Sequence, residues 1–171
     1  HDFRPDDVAS VACRTTAIGI DIGGYSIPNT AYEAMYSIPW AIAVAIADRK
    51  RGLAQFTPKR VQDPAVRSLA ARVEMSVHPD LANLTDLRDA VACELVVTMK
   101  DGRSFGKFLR RPYGYAGGEP YSDDMLNDKF REVAGLSLPS DRVEQAMSML
   151  RHLEDLPSVR ELADVLRGEA G

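Results

Sequence analysis

Cys93-Glu94-Leu95-Val96-Val97-Thr98-Met99-Lys100-Asp101-Gly102-Arg103-Ser104-Phe105-Gly106-Lys107-Phe108-Leu109 reads as two strands around a turn. Cys93, Leu95, Val97 and Met99 alternate with Glu94, Val96, Thr98 and Lys100, the period of a half-buried strand. Asp101-Gly102 suits a two-residue type I′ turn, whose central positions both need positive φ, and Phe105 and Phe108 mark the returning strand. A hairpin is antiparallel, so a purely parallel sheet is excluded.

Working outward, Val73, Met75 and Val77 alternate with Glu74, Ser76 and His78, which predicts another strand. The first twenty-odd residues also read as strand: Val8 to Cys13 are mostly apolar, and Ile18, Ile20 and Ile22 alternate with Gly19 and Asp21. Gly23-Gly24 and Pro28-Asn29 mark a loop. Ala34 to Ala47 is apolar apart from Ser37 and Pro39. It is too short to cross a bilayer and is closed by Asp48-Arg49-Lys50-Arg51, so it predicts a buried alanine-rich helix. Ser37 is its expected N-cap, with Pro39 in the first turn. Asp63-Pro64 starts a helix carrying Val66, Leu69, Ala70 and Val73.

The segment from Arg110 to Pro120 is rich in glycine and reads as an irregular loop. Beyond it Ser122 and Ser140 are the expected caps of two helices. The second has Val143, Ala146, Met147, Leu150 and Leu153 on one stripe. Ser158 with Glu161 predicts a capping box for a last helix that ends at Gly168. No linker divides the chain. Residues 1–171 therefore read as one α+β domain: a two-layer sandwich with a mainly antiparallel sheet, a buried helix and a helical tail.

Composition narrows the function. The 171 residues carry 21 basic and 25 acidic side chains, without the basic excess of a nucleic-acid-binding domain. Neither a membrane span nor a signal peptide is expected. Two cysteines, Cys13 and Cys93, are too few for a disulfide framework and suit a reducing, cytoplasmic compartment, where each reads as a small core residue. The chain begins at His1 rather than Met, as a piece of a longer protein would.

Residue chemistry offers several candidates, each with a plainer reading. Gly19-Ile20-Asp21-Ile22-Gly23-Gly24 is similar to the phosphate loop of sugar kinases, or is simply a strand ending in a glycine turn. His1, His78, His152 and the cysteines lack the spacing of a metal site, so no metal and no cofactor are expected. A cysteine nucleophile paired with His78 or His152 has no support from spacing. Asp123-Asp124 complements a helix dipole, and Glu154-Asp155 reads as a solvated helix end. Lys107, Arg110 and Arg111 beside Tyr113 and Tyr115 could receive carboxylates, or form a solvated loop.

Four stretches together resemble the C-terminal part of the MmgE/PrpD family, which includes 2-methylcitrate dehydratase, cis-aconitate decarboxylase and iminodisuccinate epimerase. They are Glu33-Ala34-Met35-Tyr36-Ser37-Ile38-Pro39-Trp40 with the alanine-rich run after it; Gln55-Phe56-Thr57 with Asp63-Pro64-Ala65-Val66-Arg67 and Ala71-Arg72-Val73; the hairpin Val96 to Arg103; and Gly117-Gly118-Glu119-Pro120 through Ser122, Asp123 and Leu126 to Lys129-Phe130-Arg131. Their order agrees along the chain from about Pro5 to Leu166.

The resemblance implies that this chain is the smaller α+β lid of a longer enzyme, and that the N-terminal all-helical domain is absent. It implies metal-free proton abstraction beside a carboxylate of a small polycarboxylate, followed by dehydration, decarboxylation or epimerisation. Most acid–base residues would lie in the helical domain. Trp40 occupies the position of a pocket-lining tyrosine, and with Ser37 one turn away it is the implied substrate-binding position here. Indole has no phenolic proton, so that position loses a general acid. Pro120-Tyr121 also departs from an Asn-Pro common in the family. The competing reading is a stand-alone, non-catalytic interaction module. Both readings expect an apolar docking face and a tendency to form homo-oligomers.

Overall fold

A computed structural model describes residues 3–25, 27–82 and 89–167. Its contacts divide the chain into two compact units, residues 1–119 and 120–171.

The first unit is built on a four-stranded sheet: β1 (Val8–Thr15), β2 (Val73–Val77), β3 (Cys93–Met99) and β4 (Ser104–Leu109), in the order β2-β1-β3-β4. β3 pairs antiparallel with β1 and β4, while β1 and β2 are parallel. A parallel pair needs a crossover, and residues 16–72 supply it through α1 (Ala17–Gly23), α2 (Ala31–Met35), α3 (Ile38–Asp48), α4 (Pro58–Val61) and α5 (Pro64–Ala70).

Along β1, Val11, Cys13 and Thr15 are buried while Ser10 and Arg14 are exposed, so one face of the strand is covered and the other is open. The cover is α3 and α5. Trp40, Ala43 and Val44 of α3 pack with Val66, Leu69 and Ala70 of α5 against Val11, Val73 and Val97 in one apolar cluster. Pro39 sits in the first turn of α3, where its missing N–H leaves no intrahelical bond unmade. Asp63 caps α5 by accepting from the N–H groups of Ala65 and Val66.

Two local expectations in this unit are corrected. Ile18, Ile20 and Ile22 belong to α1, not to a strand. The strand stops because the Thr15 and Thr16 hydroxyls donate to the carbonyls of Ala92 and Ala90, each at 2.7 Å, and Thr16 Oγ1 also caps α1 through Gly19 N–H. In a helix Ile18 and Ile22 share a face, a spacing that also satisfies alternation over so few residues. The hairpin turn is not type I′ either. Met99 N–H pairs with Arg103 O at 2.8 Å and Gly102 N–H with Met99 O at 3.0 Å, leaving a three-residue connection. Only Gly102 has positive φ, at 88°, as the left-handed residue of such a loop requires. Asp101 instead uses its carboxylate to accept from Arg103.

The second unit holds α6 (Asp123–Ala134), α7 (Ser140–Arg151) and α8 (Val159–Leu166). Leu138, Val143 and Met147 form its small core with Phe130 and Ala134, and Arg131 grips Glu144 through two bonds of 2.6 and 3.0 Å. Ser122 caps α6 as predicted. Ser140 does not cap α7. It is the first helical residue, after Pro139, which has no side chain to accept a bond. Ser158 Oγ accepts from Arg160 N–H rather than completing a box with Glu161. Leu153 falls in a short 3-10 turn after α7 and is exposed, as is Leu150. The expected stop at Gly168 lies outside the described residues.

Candidate functional site

α3 covers the β1–β2 side of the sheet with Trp40, Ala43 and Val44, and turns a second stripe toward β3 and β4. Ile38, Ala41, Ile42 and Ala45 recur at helical spacing along that stripe. With Ile18 and Ile22 of α1, they wall a cleft of about 1110 Å³ whose floor includes Cys93, Leu95, Val97 and Phe105. Drug-sized ligand pockets span roughly 300–1,000 Å³, so the cleft is wider than a small acid needs. Ile22 is 61% exposed and Met35 55%, an unusual density of open apolar surface for one face.

The polar groups of this cleft lie mostly at its edge. Among the described lining residues there is no carboxylate and no imidazole; Arg49, Arg51 and Lys107 supply positive charge, and Ser37, Tyr36 and Tyr115 supply hydroxyls. Arg49 ends α3 in the left-handed region, donates to Phe3 O at 2.6 Å and lies over the Phe3 ring. Arg51 lies over Phe56 in the same manner. Such a wall can position anionic groups, and its described lining residues include no carboxylate or imidazole to take a carbon-bound proton.

Ser37 and Trp40 are separated by the structure. Ser37 lines the cleft, is 2% exposed, and uses its hydroxyl in both directions: Oγ accepts from Trp40 N–H as the cap of α3 and donates to Tyr25 O. Trp40 is completely buried under the other stripe, and its indole N–H donates to Gln55 O at 3.1 Å. It is absent from the cleft lining. Ser37→Ala removes the cap and is expected to cost about 1 kcal/mol, read as a lower midpoint in urea unfolding.

The basic cluster of the sequence reading is split. Lys107 reaches the cleft, whereas Arg110 and Arg111 both close on Asp89, a residue that pattern reading passed over. Asp89 is buried, and the hydrogen bonds from Arg110, then those from Arg111, hold its carboxyl down at about 2 against the opposing effect of burial. The adjacent Arg110-Arg111 doublet was the available signal for a buried carboxylate. Tyr113, also in this loop, has its phenol pushed up by Glu119.

The remaining candidates resolve differently. Gly19 to Gly23 is helical, and the N–H of Gly24 is spent on Ile20 O, so the glycine motif forms no phosphate loop. His78 approaches Glu94 at 3.9 Å and packs at a tilt against Phe108, while Cys93 lies on the alternate side of β3. His152 belongs to the second unit. Cys13 and Cys93 are not isolated core residues: their sulfurs lie 3.4 Å apart. Among the described residues, no three His, Cys, Asp or Glu side chains group as metal ligands, and no helix is long and apolar enough to cross a membrane.

Comparison with known sequences decides which family the chain belongs to. The model of the MmgE/PrpD C-terminal domain matches residues 1–155. The chain belongs to the MmgE/PrpD family. Human cis-aconitate decarboxylase is 31% identical over 141 residues, covering 82% of this chain and 28% of the human protein. The mouse cis-aconitate decarboxylase is 30% identical over the same length and shares. This MmgE/PrpD C-terminal domain therefore spans little more than a quarter of the curated relatives it matches. Its α+β fold is the one that the resemblance implied.

Proposed function

We propose that this chain is the lid of an MmgE/PrpD-type enzyme that removes a proton beside a carboxylate of a small polycarboxylate, leading to dehydration, decarboxylation or epimerisation. The observation that carries the reading is the family match over residues 1–155, with cis-aconitate decarboxylases among the relatives. The cleft supports it: a wide apolar wall edged by cations, with no carboxylate or imidazole among its described lining residues, suits a domain that closes over chemistry performed elsewhere. Closing such a wall excludes water and strengthens the grip of cations on substrate carboxylates.

In this reading Ser37 presents the start of α3 to the substrate, and Trp40 positions that helix from behind by its packing and its bond to Gln55. The helical partner domain supplies the base. The exposed cleft makes the isolated chain self-associate, and a cysteine count too low for a disulfide framework fits a cytoplasmic setting.

The chain alone is expected to leave 2-methylcitrate, cis-aconitate and iminodisuccinate unchanged when each is followed by proton NMR. Turnover of any of them would overturn the lid reading. A folded chimera carrying this chain in place of the matching region of the human decarboxylase is expected to convert at least one. Inactivity toward all three would count against membership of the working site.

A further inference from the structure

Cys13 and Cys93 are eighty positions apart in sequence, and the β1–β3 pairing brings their sulfurs to 3.4 Å. Cys13 stands opposite Leu95 and Cys93 opposite Thr15, so the two thiols are diagonal neighbours on one face of adjacent antiparallel strands. A disulfide bond is roughly 2.05 Å long, so the sulfurs must come closer by about 1.3 Å, through side-chain rotation and a small backbone adjustment, because diagonal positions sit at the edge of disulfide reach. The strands are already held together by their own hydrogen bonds. The two sulfurs differ in access. Cys13 is completely buried, whereas Cys93 is partly exposed and forms part of the cleft floor.

They differ in acidity in the same sense. The hydrogen bond shared with Cys13 holds the Cys93 thiol below the ordinary cysteine range. That same bond, and then burial, push Cys13 well above it. The thiolate is the nucleophilic form, so the more accessible sulfur is also the more reactive one. Nothing in the lid chemistry uses either residue.

We propose that Cys13 and Cys93 form a redox site opening into the cleft, with Cys93 as the attacking sulfur, Cys13 as the resolving sulfur and a small disulfide of the glutathione type as oxidant. Cys93 thiolate attacks one sulfur of the small disulfide, forming a mixed disulfide and releasing one thiolate. Cys13 then attacks Cys93 Sγ, the second small thiolate leaves, and the Cys13 proton passes to it. Two protein thiols are oxidised to one disulfide, and one small disulfide is reduced to two thiols. The link joins strands that already neighbour each other, so the backbone adjustment stays local to the β1–β3 pairing.

The test uses the full chain, kept folded as judged by circular dichroism, with oxidised glutathione as probe. The expected product is an intact mass lower by two hydrogen atoms and a peptide joining Cys13 to Cys93, both reversed by dithiothreitol. Cys13→Ala should retain one glutathione on Cys93, and Cys93→Ala should take up none on Cys13. Iodoacetamide should label Cys93 of the reduced wild-type chain at least about ten times faster than Cys13. That ratio keeps the proposal testable if a variant fails to fold. Adducts on both cysteines without a link, links only between separate chains, faster labelling of Cys13, or no reaction would each overturn it.

Discussion

Trp40→Ala is expected to lower the unfolding free energy by about 3–5 kcal/mol, the usual cost of truncating a fully buried tryptophan. Whole-domain stabilities run to roughly 5–15 kcal/mol, so the variant would be marginal. Two effects add. The cavity opens between α3 and the packed side chains of α5 and the sheet, where Trp40 has no exposed surface at all. The carbonyl of Gln55 also loses the indole N–H, its bond to α3 across the chain reversal at 49–57. Trp40→Phe separates the two, since it refills most of the cavity and leaves only the carbonyl unpaired, at about 1–3 kcal/mol. Urea unfolding followed by circular dichroism measures both variants. Trp40 is the chain's single tryptophan, so fluorescence serves only for the wild type. A loss below that of Trp40→Phe would show that this side chain does not support α3.

Asp89→Asn is expected to lower the melting midpoint by at least several degrees at pH 7 and to flatten the acid limb of the stability curve. The Asp89 carboxylate accepts four bonds from Arg110 and Arg111, between 2.6 and 3.2 Å, and joins the segment before β3 to the end of β4. An amide presents N–H groups where two guanidinium forks need acceptors, so the variant loses charge and geometry together. The folded carboxyl titrates near 2, below its usual value of 3.8. The unfolded chain therefore binds this proton first as acid is added. The stability contributed by Asp89 is complete above about pH 4 and is lost as pH falls toward 2. Thermal melts of both proteins from pH 7 to pH 2 should converge at the acid end. Parallel curves would refute the clamp. Asp7 and Glu144 are also held low by Arg4 and Arg131, but they are exposed pairs that solvent screens.

Much of the local structure was legible because it is decided within a few residues. Alternation in 93–99 gave β3, Asp63-Pro64 gave the start of α5, and Ser37 with Pro39 gave the start of α3. The misreadings share a cause. Ile18 to Ile22 is too short for period alone to separate helix from strand, and the deciding bonds come from Ala90 and Ala92, more than seventy positions away. The Asp-Gly pair specified a turn, while the register set by Met99 and Arg103 chose which turn. The candidate site was less legible than the fold. Ser37 and Trp40 are three residues apart, yet one turn of α3 sends the first to the cleft and the second to the core.

By itself the sequence determined the hairpin and the buried helix, because periodicity and capping are written along the chain, and its motif order carried the resemblance to the family. Tertiary structure alone decided that Cys13 meets Cys93, that Asp89 gathers two arginines, and that α3 leaves one apolar stripe open over β3 and β4. Each depends on strand order and register. A one-residue slip in β3 would turn Cys93, with Leu95 and Val97 of the cleft floor, to the opposite face.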